Sequence, residues 1–505
     1  MPPRTPKTTV PAADSTAAKE AALPSLALVI AWSASQPHRV GQIAFFPFGE
    51  RLFVGRGDGE PERFAHFVIH RPGETPAVDP HEEILAGDTI SRRQLEVRSA
   101  GDHLEVKYIG GCSTYVNRVK LASQGVLRPG DTLLLKRELL LLCVVRPRTL
   151  ALPEGLRELH PFGEPDADGI VGESPAAWAL RAQLARTAAT NDDVLLRGES
   201  GTGKELAAAV IHRRSPRANG PRITRNAAAI PETLVAAELF GNLRNYPNPG
   251  TPPRPGLVGA AHGGTLFLDE IGELSAETQA QMLRVLDEGE YTVLGESHAR
   301  RSDFRLVGAT NRGDEVFRRD FRARMKALVR LPPLRERRED IAQLVRHLLI
   351  ARVRSSPEKD RKKQKERLLS EGPGGRLEPR VSARLVEHML HHDLPANVRD
   401  LERILIAAAD ASDGGPLDVP PEETERRARE PADRPVLPKP RAEPPLAERG
   451  GQSPPKELVE ALMRKYAGNK RAVARALGCS PGTLYRLLES YGIDLDDEHD
   501  PGEPE

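Results

Sequence analysis

An apolar run, Val194-Leu195-Leu196, leads into Gly198-Glu199-Ser200-Gly201-Thr202-Gly203-Lys204. Glycines at this spacing let backbone N–H groups close around phosphate oxygens, and a lysine at the end of the loop reaches the terminal phosphates. Further along, a second apolar run, Thr265-Leu266-Phe267-Leu268, ends in Asp269-Glu270. A carboxylate at the end of a strand can hold Mg²⁺, and the next one can orient and polarise a water for attack on a γ-phosphate. Together the two motifs predict ATP hydrolysis assisted by Mg²⁺. Asp269 is the candidate metal ligand and Glu270 the candidate base.

Three further sets fit the same chemistry. Thr310-Asn311 follows the strand-like 304–308 and can sense the γ-phosphate. Arg318 and Arg324 lie six apart and can stabilise transition-state charge, on a neighbouring subunit's nucleotide. Arg399, in Leu394-Pro395-Ala396-Asn397-Val398-Arg399, can reach the phosphates from a helical lid.

The elements that must position these residues follow from pattern. Residues 169–335 alternate helical patterns with apolar strands, which predicts a parallel sheet. Residues 336–410 look helical, interrupted by a charged stretch at 355–367. Ahead of them, 23–147 carry short β-type runs such as Arg51-Leu52-Phe53-Val54 and Thr132-Leu133-Leu134-Leu135, with turns such as Arg128-Pro129-Gly130-Asp131. That pattern predicts a β-sandwich whose first buried strand is 26–32. Residues 1–22 read as disordered, 148–168 and 411–453 as linkers and 496–505 as an acidic tail. The fold class is therefore multidomain: a β-sandwich, an α/β ATPase with a helical lid, and an all-α module at 454–495.

In that last module, Val473, Ala474 and Leu477 share one helical face and Leu484, Leu487 and Leu488 another. Gly478 supplies a turn, Ser480 an N-cap and Pro481 a first helical position. Leu458, Leu462 and Tyr466 mark a preceding helix. Three short helices so arranged read as a helix-turn-helix. Ser480, Thr483, Tyr485 and Arg486 are placed to contact DNA, and Lys470, Arg471 and Arg475 to meet phosphates.

Bulk composition limits the partners. With 73 basic and 72 acidic residues the net charge is +1, so any nucleic-acid surface must be local. Three distant cysteines, Cys112, Cys143 and Cys479, make neither a zinc spacing nor a disulfide framework and fit a reducing cytoplasm. No signal peptide or membrane span is expected.

Residues 170–409 resemble the AAA+ domain of bacterial enhancer-binding proteins, the activators of sigma-54 RNA polymerase. The matching text includes GESGTGKE, NAAAIPETL at 226–234, GGTLFLDEIGEL at 263–274, GATNR at 308–312, LPPLRERREDI at 331–341 and PANVRDLE at 395–402. The resemblance implies a ring-forming ATPase, usually a hexamer, with sites between subunits. It assigns the loop 198–204 to phosphates, Thr310 and Asn311 to a first sensor, Arg318 and Arg324 to trans arginines and Arg399 to a second sensor. It further implies that Asn226 holds the catalytic Glu inactive until the partner is engaged. Glu205, where most such loops have Ser or Thr, is shared with that family and leaves Mg²⁺ to Asp269, phosphates and water.

One departure matters. The family's Gly-Ala-Phe-Thr-Gly-Ala loop, which contacts sigma-54, is here Asn245-Tyr246-Pro247-Asn248-Pro249-Gly250. Two prolines stiffen it, and Tyr246 is the one aromatic left to make the contact. The stretch from Ala467 to Ile493 is similar to the Fis-type helix-turn-helix of the same activators. Val54-Gly55-Arg56 and Ile90-Ser91-Arg92-Arg93-Gln94-Leu95 resemble a forkhead-associated domain, which implies phosphothreonine binding by Arg56 and Ser91, with Arg92 and Arg93 nearby. Gln94 stands where that family has His. The expected protein is thus an ATP-driven, DNA-binding regulator acting on sigma-54 polymerase under a Ser/Thr kinase. A second reading stays open: ATP serves only assembly, or the motor acts on a target other than sigma-54.

Overall fold

The structure is a computed structural model. It describes residues 24–58, 60–73, 85–150, 152, 159–246, 248–421 and 423, together with Val459, Met463, Lys470, Val473, Ala474, Leu484, Tyr485, Leu488, Ser490 and Tyr491. The expected disordered start, most of the linker at 411–453 and the acidic tail lie outside the described residues. Contact patterns divide the chain into one unit through Glu425 and a second from Arg426.

Ten strands among the described residues open the first unit: β1 (Pro24–Ser33), β2 (Ile43–Phe46), β3 (Arg51–Val54), β4 (Leu95–Ser99), β5 (Leu104–Tyr108), β6 (Thr114–Val116), β7 (Val119–Lys120), β8 (Gln124–Leu127), β9 (Thr132–Leu135) and β10 (Leu139–Pro147). They form a six-stranded sheet, β2-β1-β10-β9-β6-β7, facing a four-stranded one, β3-β4-β5-β8. In β4 the residues Leu95 and Val97 are buried while Arg98 is exposed, the alternation of a half-solvated antiparallel sheet. β1 and β10 break that rule because both of their faces are covered. Leu26, Leu28, Ile30, Leu139 and Leu141 enter the sandwich core. Ala31, Leu140 and Leu142 instead join a cluster with Leu344, Val345, Leu385, Val386 and Met389 of the helical lid.

Next comes the α/β core. Its strands are β11 (Val194–Arg197), β12 (Arg222–Asn226), β13 (Thr265–Asp269), the short pair β14 (Glu290–Tyr291) and β15 (Arg300–Arg301), β16 (Arg305–Thr310) and β17 (Ala327–Arg330). The main sheet runs β12-β13-β16-β11-β17, with every neighbouring pair parallel. Three adjacent strands, β13, β16 and β11, therefore deliver their carboxyl ends to one edge, where open α/β sheets bind ligands.

The lid contains the helices Ile341–Ser355, Glu358–Leu368, Ala383–His391 and Val398–Asp410, and a hairpin of β18 (Leu369–Glu371) and β19 (Leu377–Pro379). The charged stretch expected to interrupt the helices is itself a helix. Only Leu368 of Glu358–Leu368 is buried, so apolar periodicity gives no sign of it. Its stability comes from composition and ends: Glu358 and Asp360 lie in the first turn, Lys365 and Arg367 in the last, each complementing the helix dipole.

A buried ionic joint locks sandwich to core. Arg71 Nη2 lies 2.9 Å from Glu173 Oε1, and Arg146 Nη2 donates to the Glu173 carbonyl at 2.6 Å. Arg146 Nη1 is 3.4 Å from Glu339 Oε2. Arg71, Arg146 and Glu173 are all under 8% exposed. Burial alone would raise the Glu173 pKa, but His160 and Arg71 outweigh it and hold the carboxyl below its ordinary value. Burial pushes Glu339 the other way, up to about 7, despite Arg146. On the lid side, Trp32 Nε1 donates to the Val381 carbonyl at 2.9 Å, and Thr132 Oγ1 donates to Glu387 Oε1 at 2.8 Å.

Among the described residues no helix is long and apolar enough to cross a membrane. Val459, Met463, Val473, Ala474, Leu484 and Leu488 of the second unit are buried. The first pair sits one residue on from the expected Leu458 and Leu462, which lie outside the described residues.

Replacing Glu173 by Ala strips the buried Arg71 of its carboxylate. The expected loss is about 3–5 kcal/mol, the usual cost of an orphaned buried charge, read as a lowered Tm. Since the folded-state pKa of Glu173 is depressed, its contribution is present above about 4.5 and lost as pH falls through the folded value. The acid sensitivity of the Glu173→Ala variant should be correspondingly weaker. An unchanged Tm would mean the joint carries no stability.

Candidate nucleotide-hydrolysis site

The phosphate loop joins β11 to the helix Lys204–Arg213, whose N-cap Gly203 has φ +96°. Gly201 has φ +73°. A Cβ on Gly203 would meet nothing within 4 Å, so this side of the loop is open to a ligand. A Cβ on Gly201 would come within 2.0 Å of the Ala396 carbonyl, so that side is closed by the lid. Thr202 Oγ1 donates to the Glu199 carbonyl at 2.8 Å and tightens the turn. Lys204 is 8% exposed, with Nζ donating to the carbonyls of Gly198 at 3.1 Å and Glu199 at 3.4 Å. Glu205 is exposed on the first helical turn.

Asp269 ends β13, and its Oδ1 accepts the Glu270 N–H at 3.0 Å. Glu270 has φ +50°, a conformation that costs a non-glycine residue about 1 kcal/mol or more and that aims its carboxylate toward Lys204, 3.8 Å from Nζ. Thr310, fully buried at the end of β16, accepts the Arg312 N–H at 3.0 Å, and its carbonyl accepts the Gly198 N–H at 3.2 Å. The end of β16 is thereby bonded to the phosphate loop. Asn311 is exposed beside it. Asn226 pairs in register with Asp269, but its side chain accepts the Ala228 N–H at 2.9 Å and caps a short turn.

The two candidate trans arginines are held within their own chain. Arg318 forks onto Asp320, with contacts of 3.1 and 2.7 Å, and that carboxylate raises its pKa. Arg324 lies 3.3 Å from Asp193 and 3.2 Å from Asp287 and donates to the Leu286 carbonyl. Arg399 reaches the cradle from the lid, with Nη1 donating to Ser200 Oγ at 2.8 Å.

Two residues at this site escaped the sequence reading. Asn397 donates from Nδ2 to Glu199 Oε2 at 3.2 Å and to the Ser200 carbonyl at 3.0 Å, and its Oδ1 accepts the Leu334 N–H at 2.7 Å. Arg335 Nη1 lies 2.6 Å from Glu199 Oε1. Both sit inside motifs quoted from the sequence, and Asn397 lies two residues before Arg399. The signal that could have found them is a polar residue two places after a proline, Pro395 and Pro333.

The residues fit a nucleoside triphosphate: an open glycine face, a nearly buried ammonium and the carboxylates Asp269 and Glu270 meet at one sheet edge. Among the described residues no group of three or more His, Cys, Asp or Glu can hold a metal on protein ligands alone. Asp269 is the carboxylate that would hold Mg²⁺, an ion that keeps several waters and phosphate oxygens and uses one or two protein carboxylates. When bound, such an ion neutralises charge developing on the phosphates.

The other candidate sites are partly assembled. Ser91 Oγ accepts the Gly111 N–H at 2.8 Å, and Arg56 Nε donates to the Ile90 carbonyl at 2.6 Å. Buried Gln94 ties both loops together: its amide donates to the Cys112 carbonyl at 2.7 Å and its Oε1 accepts the Cys112 N–H at 3.1 Å. Arg93 is bonded to Asp58 and Glu60, which leaves Arg92 exposed next to Arg56. In the second unit Lys470 Nζ sits 5.2 Å from the Tyr485 ring centre. Arg471, Arg475, Ser480, Thr483 and Arg486 lie outside the described residues. Tyr246 lies against Gly295, where a Cβ would come within 2.8 Å of its ring. Asn242 Nδ2 pins this loop to the carbonyls of Leu243 and Pro252, both at 2.9 Å.

Residues 170–333 match the family described as the Sigma-54 interaction domain. The Nif-specific regulatory protein of Rhodobacter capsulatus is 40% identical over 285 residues, which are 54% of this chain and 46% of that protein. The Nif-specific regulatory protein of Bradyrhizobium diazoefficiens is 34% identical over 406 residues, 72% of this chain and 66% of its own. The chain spans about half the length of several of these curated relatives. Among solved structures, NtrX from Brucella abortus in complex with ADP is similar at 27% identity and a TM-score of 0.43, covering 64% of this chain and 70% of its own. Residues 170–333 thus carry an AAA+ P-loop NTPase domain that matches the sigma-54 interaction family.

Proposed function

We propose that this protein is a cytoplasmic, DNA-binding transcriptional regulator that hydrolyses ATP in a ring, a hexamer by the family pattern, to remodel sigma-54 RNA polymerase. The observation that carries this reading is the meeting of Lys204, Glu270, Thr310 and Arg399 around one open glycine loop inside a sigma-54 interaction domain. Lys204 binds the terminal phosphates. Glu270 orients the attacking water and takes its proton. Arg399 reports lid position to the loop. Arg318 and Arg324 turn toward a neighbouring copy's nucleotide, exchanging Asp320 and Asp193 for phosphate oxygens. Asn226, one strand from the catalytic carboxylates, relays partner engagement to Glu270.

The flanking units supply control and address. Arg56, Ser91 and Arg92 offer charge and a hydroxyl to a phosphothreonine made by a Ser/Thr kinase. The Fis-like module reads DNA through Tyr485 and its neighbours, with Lys470 near phosphate.

A second reading has a specific observation behind it. The loop that should touch sigma-54 is pinned at its base by Asn242, and its one aromatic, Tyr246, rests one side against Gly295 while staying 42% exposed. A loop held in this way suits a target other than sigma-54, or an ATP cycle that only assembles the ring.

Three outcomes test the proposal. Lys204→Ala should lose ATP binding, while Glu270→Gln should bind ATP and hydrolyse it about 100-fold slower or worse. A Glu270→Gln variant that regulates normally would favour the assembly-only reading. If Arg318 acts in trans, mixing inactive Glu270→Gln and Arg318→Ala chains should restore part of the ATPase rate. A mixture as inactive as its components would place Arg318 elsewhere. Finally, ADP with aluminium fluoride should lock the full chain onto purified sigma-54, and Tyr246→Ala should abolish the complex. An active ATPase that forms no complex would remove sigma-54 as the target.

A further inference from the structure

A phosphate cradle has reason to avoid carboxylates, because each one repels the triphosphate it must hold. Glu199 is nonetheless the second residue of this loop. Its two oxygens are spent on the lid side: Arg335 Nη1 lies 2.6 Å from Oε1, and Asn397 Nδ2 donates to Oε2 at 3.2 Å. Asn397 uses three of its four hydrogen-bonding positions. Besides Glu199, it donates to the Ser200 carbonyl at 3.0 Å and accepts the Leu334 N–H at 2.7 Å. One side chain thus ties together the phosphate loop, the crossing from core to lid and the start of the helix Val398–Asp410. The next residue adds a main-chain bond, Val398 N–H to the Gly201 carbonyl at 3.2 Å.

The backbone of Asn397 is held out of its ordinary range to do this. It is 1% exposed with φ +53° and ψ −122°, and Leu394, three residues earlier, also has positive φ, +48°. Positive φ at two buried non-glycine residues persists only where surrounding contacts over-determine it. Asn397 is also the N-cap of that helix, yet its side chain makes no capping bond. A residue type that usually caps helices here serves the phosphate loop instead.

We propose that Asn397, Glu199 and Arg335 form a clasp that sets how fast product nucleotide leaves the cradle, with Asn397 a positioning residue. The lid cannot swing from the loop without breaking the Asn397 bonds to Glu199 and Ser200 and the Arg335 ion pair. While these hold, the closed side of Gly201 stays against Ala396 and the lid stays over the ligand. Release therefore waits on clasp opening, as lid motion limits turnover in many enzymes. This inference rests on the ATPase assignment alone and is independent of the target of the motor.

The test uses the full chain and the fluorescent product mant-ADP, with its dissociation rate followed by stopped flow. Asn397→Ala, Glu199→Gln and Arg335→Ala should each speed release about 5- to 10-fold, the size expected for one or two lost hydrogen bonds. KM for ATP should rise, and kcat should hold or rise, because the step that is sped up is release. The double variant Asn397→Ala/Glu199→Gln should release no faster than the faster single, because both remove the same clasp. Asn397→Asp should be at least as fast as Asn397→Ala, since it sets a second carboxylate beside Glu199. Arg335 is 39% exposed, so its variant folds whatever becomes of buried Asn397. Release within twofold of the parent for Arg335→Ala, or effects that multiply in the double variant, would overturn the clasp. A fall in kcat with unchanged release would overturn it too, by moving these residues to the chemical step.

Discussion

The contact on which the rest depends is the seating of the lid on the phosphate loop. Gly201 lies so close to the Ala396 carbonyl that no Cβ fits between them. The loop is therefore shaped between two walls, the sheet edge behind it and the lid in front. β16 supplies the first through Thr310, whose carbonyl holds the Gly198 N–H. The start of Val398–Asp410 supplies the second. Any movement of the lid alters the cradle directly, without an intervening linker to absorb it.

The same lid is held from its other side. Helices Ile341–Ser355 and Ala383–His391 share a core with Ala31, Leu140 and Leu142 of the sandwich, and Glu387 ties to Thr132 and Arg118. The ionic joint around Glu173 then fixes the angle. Buried ion pairs are poor sources of net stability, but they penalise misalignment heavily, because a small shift leaves charge unpaired. Asp340 continues this joint into the core: it accepts the Glu173 and Ser174 N–H groups at 2.9 Å each and the Ser174 hydroxyl at 2.6 Å. The sandwich is thus part of the frame that holds the lid. A ligand that shifts its sheets has a short packed route to the nucleotide.

Much of this is readable from residue order, and the failures share a cause. The runs 51–54, 104–108 and 132–135 coincide with β3, β5 and β9 because one face of each is apolar and the turns between carry Gly, Pro or Asp. The carboxylate pair Asp269-Glu270 and the glycine loop stand out because the chemistry they suggest admits few other residue types. Period-based reading misses the helix Glu358–Leu368, since a helix that buries one residue leaves no stripe. It gives no account of why β1 and β10 are apolar on both faces, since the lid that covers them is far away in sequence: Trp32 meets Val381 349 residues on. Asn397 is hidden for a related reason. Its partners Glu199 and Leu334 are distant in sequence, and nothing local marks a polar residue as buried.

The arginines show what assembly would have to change. Both are neutralised within their own chain, so reaching a neighbour's nucleotide means leaving a carboxylate. For Arg318 that exchange is cheap: Arg318 and Asp320 are both more than 40% exposed, and an exposed pair of this kind is screened by water. Arg324 is more firmly held. It touches two carboxylates and a carbonyl, and one of those carboxylates, Asp193, is buried and bonded to the Leu306 N–H at 2.9 Å. Freeing Arg324 leaves Asp193 short of one cation, with Arg305 its remaining buried neighbour of opposite charge. The two positions therefore differ in kind. Arg318 is held by one exposed carboxylate, whereas moving Arg324 would disturb a buried one.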